Sequence, residues 1–310
     1  MNASENFWYR TLFKIKVYET FGDAFQKLFQ DIMTYHHDGF QSIAPWGNWG
    51  DGGNDGWIQD EGRYFQVYGP KASKTTFSIT EILNKAIGDF GKLQEKWFNI
   101  QNYHFVYNDR FEGIPAPLAS ELASLKSQQN LSESGAWSAG KLEKLFIELS
   151  DDEKMSIIGG IPAEIPSSID SSAIGEVLKA LADSTAMLPT FLNEQAPGFQ
   201  EKIEFNGLNS QISNYLQYYS YQTQDVDDFF ITRPSLAQTV ASEIKNLYQQ
   251  SKGKIRDSSS DAPNIRYVWM VEKLIPGKIK SHPHSLKAYR EAAQVILAKY
   301  FESCDAYEHP

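Results

Sequence analysis

Hydrophobic positions in the first half of the chain switch between a helical and an extended period. Apolar side chains three or four residues apart predict amphipathic helices, and the aromatic and β-branched run NYHFVYND at 102–109 predicts a strand. The helices are predicted at residues 19–36, 77–98, 116–129 and 138–149. Between the first two helices, GWIQ and RYFQVYG flank DEG, a pattern typical of a β-hairpin. This order predicts an α/β sandwich in which the second helix crosses between parallel strands.

The length of the hairpin loop decides which side chains meet across its two strands. If the loop is the four residues QDEG, Asp55 lies opposite Gln66. Asp55, Gln66 and Tyr68 then share one face of the sheet, because side chains alternate along a strand. Phe65 points to the other face, which we expect to be the core side. A loop of three residues would turn one strand over and separate these side chains.

Helical periods dominate the second half of the chain, with one short interruption expected at RYVWMVEKLIP. The proline- and glycine-containing stretch GGIPAEIPSSIDSSAIG favours a domain boundary near 159–172. We therefore predict an α/β domain at residues 1–160 and a mostly α-helical domain at residues 161–310.

Composition limits the partners and the cellular compartment that we expect for this protein. The net charge of the 310 residues is −10, spread over both halves, so contact with nucleic acid must be local or assisted by partners or self-assembly. The single cysteine, Cys304, excludes internal disulfides and thiolate metal clusters and fits a reducing cytoplasm. The sequence has neither a long apolar run nor the basic and apolar blocks of a secretory signal. A cytoplasmic protein without membrane contact is expected.

Asp55 and Gln66 are the candidate metal ligands of the hairpin. A carboxylate and an amide carbonyl about 5 Å apart across two strands can hold a hard cation, because Mg²⁺ prefers oxygen ligands. Such an ion generates hydroxide and stabilises charge on a scissile phosphate. Lys71, after Gly69 and Pro70, is the candidate for neutralising that phosphate. The constellation predicts phosphodiester hydrolysis that depends on Mg²⁺ or Mn²⁺.

The same residues carry a resemblance to a known nuclease superfamily. GDGGNDG at 50–56, followed by the strand FQVY, resembles the Mrr-like form of the PD-(D/E)XK, or restriction-endonuclease-like, nucleases. The resemblance implies a central mixed sheet flanked by helices and a DNA endonuclease in which Asp55 is the central ligand. It also implies that Gln66 stands in for the second acid and that Gln26, in DAFQKLF, is the outer ligand on the preceding helix. Tyr68 occupies the position at which the superfamily has its lysine.

A second resemblance covers the C-terminal part. The tail AAQVILAKYFESCDAYEHP and the upstream DVDDFF resemble the C-terminal module of effectors in bacterial ABC three-component, or Lamassu-like, antiphage systems. This resemblance implies an SMC-like (ABC) ATPase subunit and a third small subunit as partners. It also implies a nuclease with double-stranded DNA as its substrate, held inactive by these partners until foreign DNA is sensed. A homo-oligomer on activation is also expected, because an acidic chain must combine several basic strips to hold a duplex. The residues predicted to dock the partners are Asp227, Asp228, Phe229, Phe301, Cys304 and Asp305.

Other interpretations stay open at this point. The glycines of GDGGNDG can serve a tight turn capped by Asp51 and Asn54, and Gln66 can be the solvent-facing residue of an edge strand. Tyr68 favours an adaptor or sensor subunit that kept the nuclease fold but lost the lysine. An unrelated structural assembly protein is a third interpretation, and it would show no clustering of Asp55 and Gln66.

Overall fold

The structure of the chain is a computed structural model. It describes residues 2–71, 78–162, 166, 168–184, 198–255, 261–302, 306–308 and 310. The chain forms two compact units, one made of residues 16–157 and the other of residues 1–15 with 158–310. The first fifteen residues thus fall in the unit that holds the C-terminal helices, whereas the sequence-based division assigned them to the first domain.

The unit of residues 16–157 combines helices with one sheet. Its helices are α2 (Asp23–His36), α3 (Ile79–Lys96), α4 (Ala116–Gln128), α5 (Ala139–Glu148) and most of α6 (Asp151–Ile158), and α1 (Ala3–Glu19) ends in it. Its strands are β1 (Phe40–Ser42), β2 (Gly56–Ile58), β3 (Arg63–Tyr68), β4 (Asn102–Tyr107) and β5 (Glu133–Trp137). Short 3₁₀ helices lie at Gly47–Trp49 and Gln59–Glu61.

The five strands form one mixed sheet in sequence order. β1, β2 and β3 pair antiparallel, and β3, β4 and β5 pair parallel. Trp57 pairs with Tyr64 across the hairpin and Ile58 pairs with Arg63, which is the register that a four-residue loop predicts. α3 connects β3 to β4, as expected for a crossover between parallel strands. The predicted mixed sheet flanked by helices is confirmed at this level.

Helices cover both faces of the sheet, so both faces are core. On one face Phe65 packs against Phe29 of α2 and Phe40 of β1, with ring centroids 5.3 and 6.1 Å away. On the other face Tyr64, Tyr103 and Phe105 join a buried apolar cluster with residues of α3 and α4. The expectation that only the Phe65 face is the core side is therefore wrong. The alternation along β3 separates two buried layers rather than a core from solvent.

The sequence predicted most elements of this unit to within a few residues. The helix predicted from residue 19 is α2, which begins at Asp23, since Gly22 has a φ of +49° outside the helical region. β5 was not predicted. Its sequence, ESGAW, lacks β-branched residues, and pairing with β4 holds it in the sheet.

The second unit is helical throughout its described residues. Its helices are α7 (Ser171–Ser184), α8 (Phe199–Phe205), α9 (Ser210–Ser220), α10 (Gln224–Ile231), α11 (Pro234–Lys254), α12 (Ala262–Leu274) and α13 (Leu286–Glu302), together with the first residues of α1. The interruption expected at RYVWMVEKLIP is wrong, because that sequence lies mostly in the buried helix α12. A helix buried on all sides lacks the polar face that makes a helical period visible.

The start of the chain packs in this unit through an aromatic pair. Trp8 is buried, its indole N–H donates to the Tyr215 hydroxyl at 3.0 Å, and the two rings lie 5.8 Å apart. Tyr215 and Tyr219 of α9 are both buried. Burial of these rings indicates a packing role within this unit.

Candidate functional site

A glycine-rich loop leads from the 3₁₀ turn at Gly47–Trp49 into β2, and its own side chains hold its shape. Asp51 Oδ1 accepts from Gly53 N–H at 2.8 Å, and Asn54 Oδ1 accepts from Gly56 N–H at 3.0 Å. Gly52 and Gly53 have φ values of +68° and +77°, which L side chains rarely adopt. The purely structural interpretation of this loop, a tight turn with capping side chains, therefore describes its backbone correctly.

The loop also packs closely against α3. A Cβ placed on Gly53 would lie 2.1 Å from the carbonyl oxygen of Asp89, and one on Gly52 would lie 2.7 Å from the indole nitrogen of Trp97. The Trp97 N–H in turn donates to the Asp51 carbonyl at 3.2 Å. Only glycine permits this approach, so the glycines fix the loop on the helix that carries Asp89.

Asp55, at the end of this loop, is buried with 3% of its surface exposed. Its Oδ2 accepts from Val67 N–H at 2.7 Å, and its own N–H donates to the Phe65 carbonyl at 2.8 Å. Burial raises the pKa of the carboxyl to about 7; the Val67 bond lowers it, and the nearby Asp51 raises it further. Near neutral pH Asp55 is therefore balanced between its protonated and charged forms.

Gln66 is equally buried and lies on the α3 side of β3. It alternates with Val67 and shares the parity of Tyr64, which packs in the α3 cluster. Its Oε1 has no hydrogen-bond partner among the described residues, and neither has Nδ2 of Asn54, next to Asp55 in sequence. Because buried polar atoms are normally bonded, these two atoms mark the surroundings of Asp55 as a candidate binding site.

Of the two glutamines that α2 could supply, Gln30 bonds to the Asp55 backbone. Its Nε2 donates to the Asp55 carbonyl at 2.8 Å. Gln26, the predicted outer ligand, lies one helical turn earlier and is half-buried. Sequence reasoning missed Gln30, although its spacing of four residues from Gln26 puts both on one side of the helix.

The lysine predicted to serve the phosphate is found beside an aromatic ring. Lys71 is exposed, with Nζ 5.6 Å from the ring centroid of Phe21. Tyr68, which occupies the position of the motif lysine, is half-buried and stacks on Tyr107 with ring centroids 6.2 Å apart. The lysine whose charge lowers the Asp55 pKa is Lys85 of α3.

Lys85 belongs to an ion-pair group on α3 that surrounds the buried carboxylate of Asp89. Its Nζ lies 2.6 Å from Oδ2 of Asp89, and Nζ of Lys92 lies 2.9 Å from Oδ1 of the same carboxylate. Asp89 is almost fully buried, and its charge raises the pKa of Asp55. These α3 residues escaped the sequence analysis, although positions 85, 89 and 92 recur at helical spacing and mark one face.

Asp55 and Gln66 fit a hard cation better than a soft one. They offer a carboxylate, of which Val67 engages one oxygen, and an amide oxygen without a partner. Among the described residues no group of three or more His, Cys, Asp or Glu side chains could hold a metal ion. Any cation at this position would therefore keep several waters, as Mg²⁺ commonly does in proteins.

The residues predicted to dock partner subunits lie in the helical unit. Asp227 pairs with Lys299 at 2.9 Å, and Asp228 is exposed and accepts from Gln224. Phe229 is half-buried, with the Arg233 guanidinium 4.6 Å from its ring centroid.

Phe301 lies near the end of α13. Phe301 is buried and packs on Phe199, with ring centroids 5.2 Å apart, so it contributes to the core of its own unit and not to a described surface. Cys304 and Asp305 lie outside the described residues.

Comparison with known proteins gives a match in this helical unit. Residues 172–308, somewhat less than half of the chain, match the family model of C-terminal domain 10 of the ABC-three component (ABC-3C) systems. The C-terminal part of the protein is therefore similar to a domain of ABC-3C antiphage systems. This confirms the sequence-based prediction of an ABC three-component protein, while the narrower Lamassu-like assignment stays a prediction.

The family model does not cover the α/β unit of residues 16–157, so that unit is interpreted from its own residues. No curated protein and no solved structure matches the chain. No helix in the described part is long and apolar enough to cross a membrane.

Proposed function

We propose that this ABC-3C component is the effector of its system, a metal-dependent DNA endonuclease with its site at Asp55 and Gln66. Partner subunits, an SMC-like ATPase and a third small subunit, hold it inactive until foreign DNA is sensed. The match to a C-terminal domain of ABC-3C systems supports partner subunits in general. The identity of the partners, the substrate and the reaction belong to the proposal.

One observation carries the assignment of the site. The Asp55 carboxyl, whose pKa burial raises to about 7, lies on the hairpin opposite Gln66, whose Oε1 is buried without a described partner. A structural aspartate is normally stabilised in its charged form by its neighbours, whereas here burial outweighs the Val67 bond. Such perturbed carboxyls occur at functional sites, and a divalent cation would stabilise the charged form.

Asp55 and Gln66 would hold the cation, and the loop would keep them in place. Mg²⁺ or Mn²⁺, when bound, supplies Lewis acidity toward a phosphate oxygen and lowers the pKa of water. Val67 N–H orients the Asp55 carboxylate, and Gln30 and the packing of Gly53 on α3 fix the backbone around it. This support means that little reorganisation is needed when a phosphate arrives.

Two lysines are candidates for stabilising charge on the phosphate. Lys85 acts electrostatically on Asp55 but is shared with Asp89, whereas Lys71 lies over Phe21 at the end of the hairpin. Replacing each lysine by glutamine in the full chain distinguishes them. Replacing the lysine that serves the phosphate should lower the cleavage rate of the protein about 100-fold, by analogy with other transition-state donors. Replacing the other lysine should leave the rate unchanged.

The second candidate function is a non-catalytic adaptor with a nuclease-like fold. Tyr68 at the lysine position favours it, and so does the absence of a three-acid cluster among the described residues. A divalent cation separates the two candidates, since a ligand that binds the native state must stabilise it, by about 2.7 kcal/mol at a concentration of 100 Kd. The nuclease predicts a rise in melting temperature with Mg²⁺ or Mn²⁺ that Asp55→Asn abolishes. The adaptor predicts no rise.

The direct experiment is plasmid cleavage by the purified full-length chain. It is run with and without Mg²⁺ or Mn²⁺, and with and without the ATPase subunit encoded in the same system. Metal-dependent cleavage that is lost in Asp55→Asn supports the proposal. A folded, cation-binding protein that never cuts DNA or RNA, alone or with its partners, would refute it.

A further inference from the structure

Three lysines of α3 line the face on which the glycine-rich loop packs. Lys85, Lys92 and Lys96 follow one another at spacings of seven and four residues, so they share one side of the helix with Asp89 between them. At 1.5 Å per residue this row is about 16 Å long. One end lies at Lys85, which acts on Asp55, and the other at Lys96 next to the loop. We call these three lysines the α3 row.

Two exposed tryptophans stand at the far end of the α3 row. Trp46 is 83% exposed and Trp49 is 53% exposed, although tryptophan usually lies largely buried in folded proteins. The Lys96 ammonium lies 5.2 Å from the ring centroid of Trp49 and also donates to the Trp49 carbonyl. The α3 row therefore ends in aromatic rings that are open to solvent.

Backbone hydrogen bonds hold these tryptophans in place. Trp46 and Gly50 exchange backbone bonds of 3.0 and 3.2 Å, and Trp49 N–H donates to the Trp46 carbonyl at 3.0 Å. The loop is thus a closed turn, and its exposed rings are presented on a fixed backbone. A preorganised aromatic surface loses little conformational entropy when a flat partner stacks on it.

The charges along the α3 row would attract a polyanion once a divalent cation is bound at Asp55. Lys85 and Lys92 lie near three acids, Asp51, Asp55 and Asp89, and Lys96 lies against Trp49. With all six groups charged the local balance is zero, and a divalent cation at Asp55 would make it +2. A basic region next to the proposed catalytic residues can therefore arise locally on a chain whose net charge is −10.

We propose that the α3 row and the tryptophans Trp46 and Trp49 form a binding track for unpaired nucleotides of a nucleic-acid strand. The lysines contact phosphates along the strand, and Trp49, with Trp46, stacks on a base. This proposal rests on the proposed function, because the track leads to the Asp55 site. It adds that the strand is unpaired along the track.

The aromatic end of the track decides between an unpaired strand and other partners. A base inside a duplex is stacked on both faces, so an exposed indole has no base face to cover unless the base is unpaired. A protein partner docking on two tryptophans would not require a row of lysines that continues to Asp55. Lysines beside aromatic rings are the usual composition of single-strand binding grooves.

Binding of a short oligonucleotide tests the track without cleavage. The full-length protein is titrated with a fluorescein-labelled single-stranded dT oligomer and with a blunt duplex of equal length, at several salt concentrations. Each titration is run in EDTA and in Ca²⁺, which prefers oxygen ligands as Mg²⁺ does. We expect the single strand to bind more tightly than the duplex. Trp49→Ala should weaken binding about 10-fold, and Trp49→Phe, which keeps an aromatic face, should recover most of it. Lys92→Gln and Lys96→Gln should each reduce the salt slope by about 0.7.

Two matched substitutions control for general surface effects. Tyr221→Ala removes an exposed aromatic ring in the helical unit, and Lys27→Gln removes an exposed lysine of α2. Both should bind the oligonucleotide like the wild type. Equal binding of Trp49→Ala and the wild type, or tighter binding of the duplex, would overturn the track.

The outcome is separable from the proposed function because the readout is binding and not cleavage. If the single strand binds as expected while no condition gives cleavage, the track stands and the endonuclease proposal fails. If Asp55 proves essential for cleavage while Trp49→Ala and both lysine variants bind normally, the endonuclease stands and the track is wrong.

Discussion

Asp55 and His104 are two buried ionisable groups of one sheet with opposite electrostatic outcomes. Asp55 lies on the α3 side at the end of the hairpin, and burial raises its pKa to about 7. His104 lies in β4 on the other face, stacked on Phe65 with ring centroids 5.5 Å apart, and burial lowers its pKa to about 3. At neutral pH the histidine is therefore uncharged, whereas the aspartate is divided between its two forms.

The surroundings of His104 favour that neutral state. Arg63 lies 3.3 Å from Nε2, and its charge and that of Lys141 lower the histidine pKa further. Arg63 itself is paired with Glu61 at 2.7 Å and with Glu133 at 3.4 Å. The charge of Arg63 thus belongs to ion pairs, whereas Lys141 lies over the Trp137 ring.

The protonation states of Asp55 and His104 at neutral pH differ in whether a cation could change them. Neutral His104 needs no counter-ion, although its Nδ1 has no described hydrogen-bond partner. Under the proposed function, a cation would hold Asp55 in its charged form at neutral pH, and the unpartnered oxygen of Gln66 would be a second ligand atom. Both structural and functional sites bury ionisable groups. The two kinds of site differ in whether a bound cation changes the protonation of the buried group.

The largest expected effect distinguishes the two regions by activity. Asp55→Asn keeps an acceptor for Val67 N–H but removes the charge that would hold the cation, so cleavage should fall at least about 100-fold. His104→Phe should cut plasmid like the wild type. Gel-based cleavage rates and circular dichroism of both variants check this. Full activity of a folded Asp55→Asn would remove the site assignment.

The next effect concerns stability in EDTA. Because the folded-state pKa of Asp55 is raised above the unfolded value, the native state binds more protons between pH 4 and pH 7, and stability falls as pH rises through this range. Asp55→Asn removes this loss. We expect the variant to exceed the wild type by up to about 4 kcal/mol at pH 8 and to match it near pH 4. Urea unfolding at both pH values measures the difference, and a variant less stable at pH 8 would contradict the burial of a charge.

His104 should show the opposite dependence. Its folded-state pKa lies below the unfolded value, so the native state binds fewer protons and its stability is lost as pH falls from about 6.5 toward 3. His104→Phe keeps the aromatic packing and should abolish up to about 3 kcal/mol of that loss between pH 6.5 and pH 4. Urea unfolding of both proteins across this range tests it. Parallel pH profiles of variant and wild type would show that His104 is not buried in its neutral form.

The smallest expected effect is on stability at Gln66. Gln66→Met has a similar volume and removes an amide whose oxygen lacks a described partner, so stability in EDTA should stay within about 1 kcal/mol of the wild type. The rise in melting temperature with Mg²⁺ or Mn²⁺ should nevertheless disappear. Val67→Met, on the other face of the same strand, serves as the control that keeps this rise. A Gln66→Met protein that the cation still stabilises would exclude Gln66 as a ligand.

Local sequence determined the elements and the register of the hairpin. Alternating apolar positions fix which face of β3 each side chain takes, and the four-residue QDEG loop puts Trp57 opposite Tyr64. For the same reason the sequence alone placed Asp55 and Gln66 on neighbouring strands. The glycines of GDGGNDG were also informative, because the φ values that a tight turn requires are a local property.

Tertiary packing decided which other residues reach Asp55. Lys85 and Asp89 act on it from α3, some thirty residues further along the chain, and no local pattern gives the rotation at which that helix packs on the loop. The choice of Gln30 over Gln26 likewise depends on how α2 lies across the sheet. The raised pKa of Asp55 has the same origin, since burial is a sum over atoms from distant segments. Sequence fixes local geometry through sterics and periodicity, whereas the surroundings of a carboxylate exist only once separate elements have packed around it.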